Sequence, residues 1–121
     1  MATKILRTNI DNLENETLML YHLTKGKTNK SANKLTDEEL EEIYPVTAYL
    51  LYEDENNKGE TVKLLSILSG DQVITAQSAT VQRSFFEILD MVKGRAFSVK
   101  FTDGKTKNDR RFMDCELAAV D

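Results

Sequence analysis

The chain has 121 residues, of which 40% are hydrophobic and 30% charged, and a formal net charge of −4 at pH 7. This length suits one domain with one hydrophobic core, a single cysteine excludes an internal disulfide, and one histidine is too few for a His/Cys metal site. No apolar run reaches the length of a membrane span and the first residues lack a signal-peptide core, so we expect residues 1–121 to form a single cytoplasmic domain without a membrane partner.

The first third of the sequence indicates only one strand and one short helix. Residues 1–16 show no sustained periodicity and contain several Asn, so we expect a loosely ordered lead-in. Residues 17–25, TLMLYHLTK, are rich in Leu and short enough to predict a strand. Residues 25–34 are polar and basic and predict a loop. Thr36 and Glu39 then form a capping-box pattern, which predicts a short helix.

The remainder predicts five strands and one helix, in the order strand, strand, strand, helix, strand, strand. The strands are predicted at residues 46–53, 61–68, 72–77, 96–102 and 111–117. The helix is predicted between Ser78 and Gly94, because its apolar residues recur with helical spacing and both ends carry typical capping residues. These apolar residues are Val81, Phe85, Ile88, Leu89 and Val92.

This order is that of the OB fold, in which a three-strand meander is followed by a helix and a closing hairpin. We therefore predict an all-β domain with one helix: an OB-fold-like five-stranded barrel, extended by a strand at residues 17–25. SH3-like and PH-like barrels also fit five short strands and one helix. In the OB arrangement the helix packs on Phe97, Val99 and Phe101.

The charges are unevenly distributed along the chain. Nine of the twenty acidic residues lie between Asp37 and Glu60, in a window that contains one base. Two predicted loops concentrate positive charge: residues 25–34, and residues 105–111. Each loop could be a solvated surface, but together they predict a basic footprint for an anionic partner.

The sequence contains no GxSxG, HExxH, CxxC or Gly-rich phosphate-binding motif. Cys115 lies on the apolar face of a predicted strand, which favours a buried structural thiol over a nucleophile. The acids of DEELEE point in different directions around a helix and do not predict a metal site. We therefore expect no catalysis, no metal and no cofactor.

Proteins that bind single-stranded nucleic acid stack the bases on aromatic rings and place cations along the phosphates. The candidate aromatic residues are Tyr21, Tyr44, Tyr49, Tyr52 and Phe112. The candidate cations are Lys25, Lys27, Lys63, Lys100, Lys105, Lys107, Arg110 and Arg111. Phe112 is the best-placed ring by pattern, because it alternates with the apolar residues Met113 and Cys115.

Residues 17–117 resemble the small single-stranded DNA-binding proteins of tailed phages that replicate their genomes by protein priming. The resemblance is carried by VTAYLLYE, SGDQVITAQSATV, AFSVKF and FMDCEL, in that order. It implies a non-catalytic protein that coats displaced single strands, and a DNA-binding role for Tyr52. Two further tyrosines of that family have no counterpart here, since the turn reads ENNKG and the third strand carries Ile74. Tyr49, Tyr21 or Phe112 would have to replace them.

Two functional hypotheses follow. The first is a sequence-independent single-stranded DNA-binding protein, monomeric or weakly self-associating, which acts in the host cytoplasm with phage replication proteins as further candidate partners. The second is a small acidic β-barrel that uses residues 37–60 to mimic nucleic acid or to dock on a host protein. The basic loops and the resemblance favour the first hypothesis, and the net charge favours the second.

Overall fold

The computed structural model describes residues 3–121, and this part of the chain contains eight strands and three α-helices. The strands are β1 (Lys4–Thr8), β2 (Lys30–Ser31), β3 (Tyr44–Pro45), β4 (Ala48–Glu55), β5 (Thr61–Ser69), β6 (Gln72–Ala76), β7 (Phe97–Lys105) and β8 (Arg111–Val120). The α-helices are α1 (Thr17–Lys25), α2 (Asp37–Leu40) and α3 (Ala79–Val92), and single 3₁₀ turns lie at Leu13–Asn15 and Ala32–Lys34.

Helix α3 lies where the apolar stripe predicts it. Ser78 is the N-cap, and its Oγ accepts a hydrogen bond from the backbone N–H of Val81 at 3.3 Å. The helix ends at Val92 because Lys93 and Gly94 both adopt left-handed conformations, with φ of 52° and 84°. The short helix α2 is also confirmed, since Thr36 and Glu39 form a complete capping box at its start.

The apolar stripe of α3 faces the core, as predicted. Its buried residues are Val81, Phe85, Ile88 and Val92. The rings of Phe85 and Phe97 lie 6.1 Å apart, and Val99 and Phe101 belong to the same hydrophobic cluster. The main helix therefore shares its core with β7, whereas the hairpin strand nearest to its backbone is β8, where Cys115 Sγ lies 3.7 Å from Val81 O.

The strands form two sheets. The larger sheet has the order β1-β4-β5-β6-β2, with all pairs antiparallel except β2 and β6, and the smaller sheet has the order β3-β7-β8. The predicted order of three strands, a helix and two strands after residue 46 is confirmed, and the domain is rich in β-structure with one main helix.

The predicted closed barrel is wrong. Residues 44–55 connect the sheets on one side, since Val46 N–H donates to Phe97 O at 3.0 Å and Thr47 N–H donates to Leu68 O at 2.8 Å. On the other side, no ladder joins β6 to β8 within residues 3–121; the neighbour of β6 is β2. The basic segment around β2 therefore takes the sheet edge that a closed barrel would have used.

The predicted strand at residues 17–25 is also wrong, because this segment is helix α1. Met19, Leu20 and Leu23 pack on the outer face of the larger sheet, whereas Leu18 and Tyr21 face solvent. A short run with so many apolar residues fits a strand and a helix equally well. Packing against the sheet decides the outcome.

The lead-in of residues 1–16 is ordered over the part that the structure describes. Strand β1 pairs with β4 in an antiparallel ladder that contains a bulge, with Ile5 opposite Tyr52. Leu13 is fully buried. The bulge interrupts the alternation of apolar residues and the partner strand is more than forty residues away, so local periodicity does not reveal β1.

The larger sheet buries both of its faces. One face contacts α3, and the other contacts α1 and the N-terminal segment through a second cluster that contains Leu50, Tyr52 and Leu68. The hydroxyl of Ser66 donates to Leu23 O at 2.6 Å, which fixes α1 to β5. Burial on both faces explains why residues 46–53 are apolar without alternation.

An ion pair anchors the end of α1 to β4. Lys25 donates to Asp54, whose side chain is only 4% exposed. Burial alone would raise the pKa of Asp54, but Lys25 and the backbone N–H of Glu55, at 2.9 Å, hold it below its usual range. The pair therefore stabilises the fold at pH values above the ordinary carboxyl pKa of about 4. This contribution is lost as the pH falls through the lowered pKa of Asp54.

Replacing Lys25 by methionine is expected to lower the free energy of unfolding by about 1–3 kcal/mol at pH 7, because Asp54 then stays buried without its partner. The difference from the wild type should shrink at pH 3, where a protonated carboxyl needs no cation. Urea denaturation at both pH values measures this, with Lys27→Met as an exposed control. An equal difference at pH 7 and pH 3 would show that the charge of Asp54 is not involved.

Candidate nucleic-acid interface

The two basic loops predicted from the sequence lie side by side. Nη1 of Arg111, at the start of β8, donates to the backbone oxygen of Asn33 at 3.0 Å. Nε of the same arginine donates to Asp103 Oδ2 at 3.1 Å, which fixes the direction of the guanidinium. The contact spans 78 positions of sequence and holds the β7–β8 hairpin against the segment that follows β2.

A defined turn shapes the tip of this hairpin. Thr106 N–H donates to Arg110 O at 2.9 Å, and Arg110 N–H donates to the Thr106 hydroxyl at 3.2 Å. Asp109 supplies the left-handed residue, with φ of 62°, that closes the turn. Strands β7 and β8 are longer than the sequence predicts: residues 103–105, expected to begin a loop, belong to β7, and β8 runs to Val120.

We call residues 26–34 together with residues 105–112 the basic loop surface. Within residues 3–121, four exposed cations of this surface have no acidic side chain within ion-pair distance: Lys27, Lys34, Lys107 and Arg110. Lys30 pairs with Glu39, and Lys105 lies 3.5 Å from Asp109 in an exposed pair that contributes little stability. The four remaining cations are available to an anionic partner.

Phe112 provides an exposed aromatic ring within the same surface. It is 42% exposed and lies opposite Gly104 in the β7–β8 ladder. A Cβ atom added to Gly104 would lie 2.7 Å from Cζ of this ring, so the ring lies over the glycine and depends on its missing side chain. The sequence prediction that Phe112 faces outward is confirmed, whereas the role of Gly104 was not predicted.

Three of the four candidate tyrosines are buried in the folded domain. Tyr52 is 1% exposed in the second cluster, under α1, and burial raises its pKa. Tyr49 is buried with its ring 5.5 Å from that of Phe85. Tyr44 is buried, donates to Glu39 O at 2.9 Å, and has its pKa raised to about 12, mainly by burial. None of these three rings can stack on a base without rearrangement.

The remaining candidates lie outside the basic loop surface. Tyr21 is half exposed on the solvent side of α1, and Lys25 is bound to Asp54. Lys63 is exposed on β5 opposite Glu53 in the β4–β5 ladder, and Lys100 on β7 lies 3.7 Å from Glu41. These side chains do not converge on one site.

Cys115 is a buried thiol, as its position in the strand predicts. Its Sγ lies 3.7 Å from Val81 O, and burial, with Asp114 and Glu116 nearby, raises its pKa to about 12. A thiol in this state is not a nucleophile at neutral pH.

Within the described residues, no group of three or more His, Cys, Asp or Glu side chains is placed to hold a metal ion.

No protein-family model, curated protein or solved structure matches the chain. Among residues 3–121, none of the helices has both the length and the hydropathy required to cross a membrane.

Proposed function

We propose that this protein binds single-stranded DNA without sequence preference, through the basic loop surface. The observation that carries the proposal is the hydrogen bond from Arg111 to Asn33, which brings the two basic loops together. The two loops carry four exposed cations without acidic partners and one exposed ring. Cations for phosphates and rings for bases are the components of sequence-tolerant single-strand binding.

The fold supports the same proposal. The order of β4, β5, β6, α3, β7 and β8 is that of an OB fold, and residues 44–55 pass between the two sheets as its first strand does. We infer an OB-like domain that is open between β6 and β8, with β2 in the opening. In OB folds, the hairpin that corresponds to residues 105–111 is one of the loops that contact oligonucleotides.

The resemblance to phage single-stranded DNA-binding proteins suggests the biological role. On this proposal the protein coats displaced strands during phage DNA replication, without catalysis and as a monomer or a weakly associating species. Phe112 replaces the buried Tyr52 as the principal stacking residue. The alternative, an acidic protein that mimics nucleic acid or docks on a host protein through residues 37–60, is less favoured. Three acids of this segment, Glu39, Glu41 and Asp54, each pair with a lysine.

Replacing Lys107 and Arg110 together by alanine is expected to weaken binding of oligo-dT. Each phosphate contact contributes about 0.7 to the slope of log affinity against log salt, so the slope of the double variant should be smaller in magnitude by about 1.4. Its affinity at 0.1 M salt should be about 25-fold lower than that of the wild type. The measurement is fluorescence anisotropy of a labelled oligonucleotide over a series of salt concentrations.

The matched control removes two exposed cations that lie outside the two loops, Lys4 and Arg83. This control should retain nearly all of the wild-type slope. Equal losses in the two double variants would mean that binding depends on total charge and not on the basic loop surface.

A further inference from the structure

A second candidate site lies in a cleft between β1, the start of β4 and the segment that links α3 to β7. We call it the arginine cleft; it is lined by Arg7, Asn9, Val46, Tyr49, Leu89, Val92 and residues 94–97, with a volume of about 410 Å³. This volume is within the range of pockets that hold small molecules. The cleft is at the start of β7, whereas the basic loop surface is at its end, about 26 Å away for a nine-residue strand.

Two guanidinium groups border this cleft without a carboxylate partner. Within residues 3–121, neither Arg7 nor Arg95 has an acidic side chain within ion-pair distance. Both arginines are nonetheless held in place. The guanidinium of Arg7 lies 4.8 Å from the centre of the Phe86 ring, and Nε of Arg95 donates to Val92 O at 3.0 Å.

The remaining donors at the rim are also oriented. The Oδ1 atom of Asn9 accepts the backbone N–H of Tyr49 at 3.0 Å, so its Nδ2 group remains available as a donor. The C-terminal end of α3 has a negative partial charge, and Arg95 neutralises part of it through the oxygen of Val92. A bound anion would therefore lie on the arginines and the Asn9 amide.

The floor of the cleft is apolar and aromatic. Tyr49 and Phe97 line it together with Val46 and Leu89, and both rings belong to the cluster around Phe85. A ligand that suits this site has a planar apolar part for the floor and an anionic group for two guanidiniums. Guanidinium groups bind phosphate through paired hydrogen bonds.

We propose that the arginine cleft binds a nucleoside monophosphate, with the phosphate on Arg7 and Arg95 and the base against Phe97 and Val46. The site is independent of the basic loop surface, because the two share no residue and lie at opposite ends of β7. A dianionic phosphate would give both guanidiniums the anionic partner that they lack.

The test is an NMR titration of ¹⁵N-labelled protein with dTMP, thymidine and inorganic phosphate. We expect dTMP to shift the backbone signals of Asn9, Gly94 and Ala96, and to bind at least tenfold more tightly than thymidine or phosphate alone. Arg7→Ala and Arg95→Ala should each weaken dTMP binding about tenfold or more. Arg83→Ala, which removes an exposed arginine on α3 outside the cleft, should leave it unchanged.

Several outcomes would overturn the proposal. They are an absence of shifts at millimolar dTMP, shifts confined to residues 105–111, and equal affinity for dTMP and inorganic phosphate. Should an alanine variant fail to fold, Arg7→Lys and Arg95→Lys keep the positive charge and are expected to bind dTMP more weakly than the wild type. Unchanged affinity in both lysine variants would also contradict the proposal, since paired hydrogen bonds would then play no part.

Discussion

Replacing Phe85 by alanine is expected to lower the free energy of unfolding by about 3–5 kcal/mol, which is enough to unfold a large fraction of a marginally stable domain. The ring is fully buried and packs against the rings of Tyr49, Phe86 and Phe97 within about 6 Å. Its removal leaves a cavity between α3 and both sheets that neighbouring side chains can fill only in part. Urea denaturation at neutral pH measures the loss.

The control for this experiment is Met91→Ala on the same helix. Met91 is 68% exposed, and its truncation should change the free energy of unfolding by less than about 0.5 kcal/mol. If the two variants were equally stable, Phe85 would not occupy the core position that the structure assigns to it.

Replacing Phe112 by alanine is expected to weaken binding of oligo-dT by about 1–3 kcal/mol, or roughly five- to 150-fold, because one stacked base loses its aromatic partner. The melting temperature should change little, since the ring is 42% exposed. Fluorescence anisotropy with a labelled oligonucleotide is the appropriate measurement. Tyrosine emission is less informative, because Tyr44, Tyr49 and Tyr52 are buried and Tyr21 lies outside the basic loop surface.

Two conservative variants separate stacking from apolar contact. Phe112→Tyr keeps the aromatic face and should bind like the wild type, whereas Phe112→Leu should be impaired nearly as much as the alanine variant. Gly104→Ala changes no charge but places a Cβ atom where the ring lies, so it should displace Phe112 and also weaken binding. Wild-type affinity in Phe112→Leu would contradict a stacking role.

The elements determined by local sequence are those that the sequence predicts well. The apolar spacing of Val81, Phe85 and Val92 defines α3, and the Thr36–Glu39 capping box defines α2. The alternation of Phe97, Val99 and Phe101 locates β7. Each of these signals lies within a single helix or strand, so distant contacts are not needed to interpret it.

The errors occur where distant contacts decide the structure. Residues 17–25 fold as a helix because the larger sheet offers a second apolar face, and β1 forms because β4 has a free edge. The same second face buries Tyr52, which the resemblance to DNA-binding proteins had suggested as a stacking residue. Alternation could not identify a buried tyrosine in a strand that is apolar on both sides.

For the candidate site, the sequence identifies the residue types but not their arrangement. The basic loops and Phe112 are evident from composition and alternation. The proximity of the two loops depends on the hydrogen bond from Arg111 to Asn33, residues that are 78 positions apart. The sequence does not indicate Arg7 and Arg95, because they are far apart in the chain and only the tertiary structure brings them to one cleft.

The most direct test of single-stranded DNA binding is an anisotropy titration of the wild-type protein with labelled oligo-dT at about 50 mM and about 200 mM salt, a range over which phosphate contacts weaken binding measurably. Contacts from three to five cations of the basic loop surface predict a slope of log affinity against log salt of about −2 to −3.5. Circular dichroism on the same sample establishes that the protein is folded. A folded protein that leaves oligo-dT unbound at the lower salt concentration would contradict the proposed function.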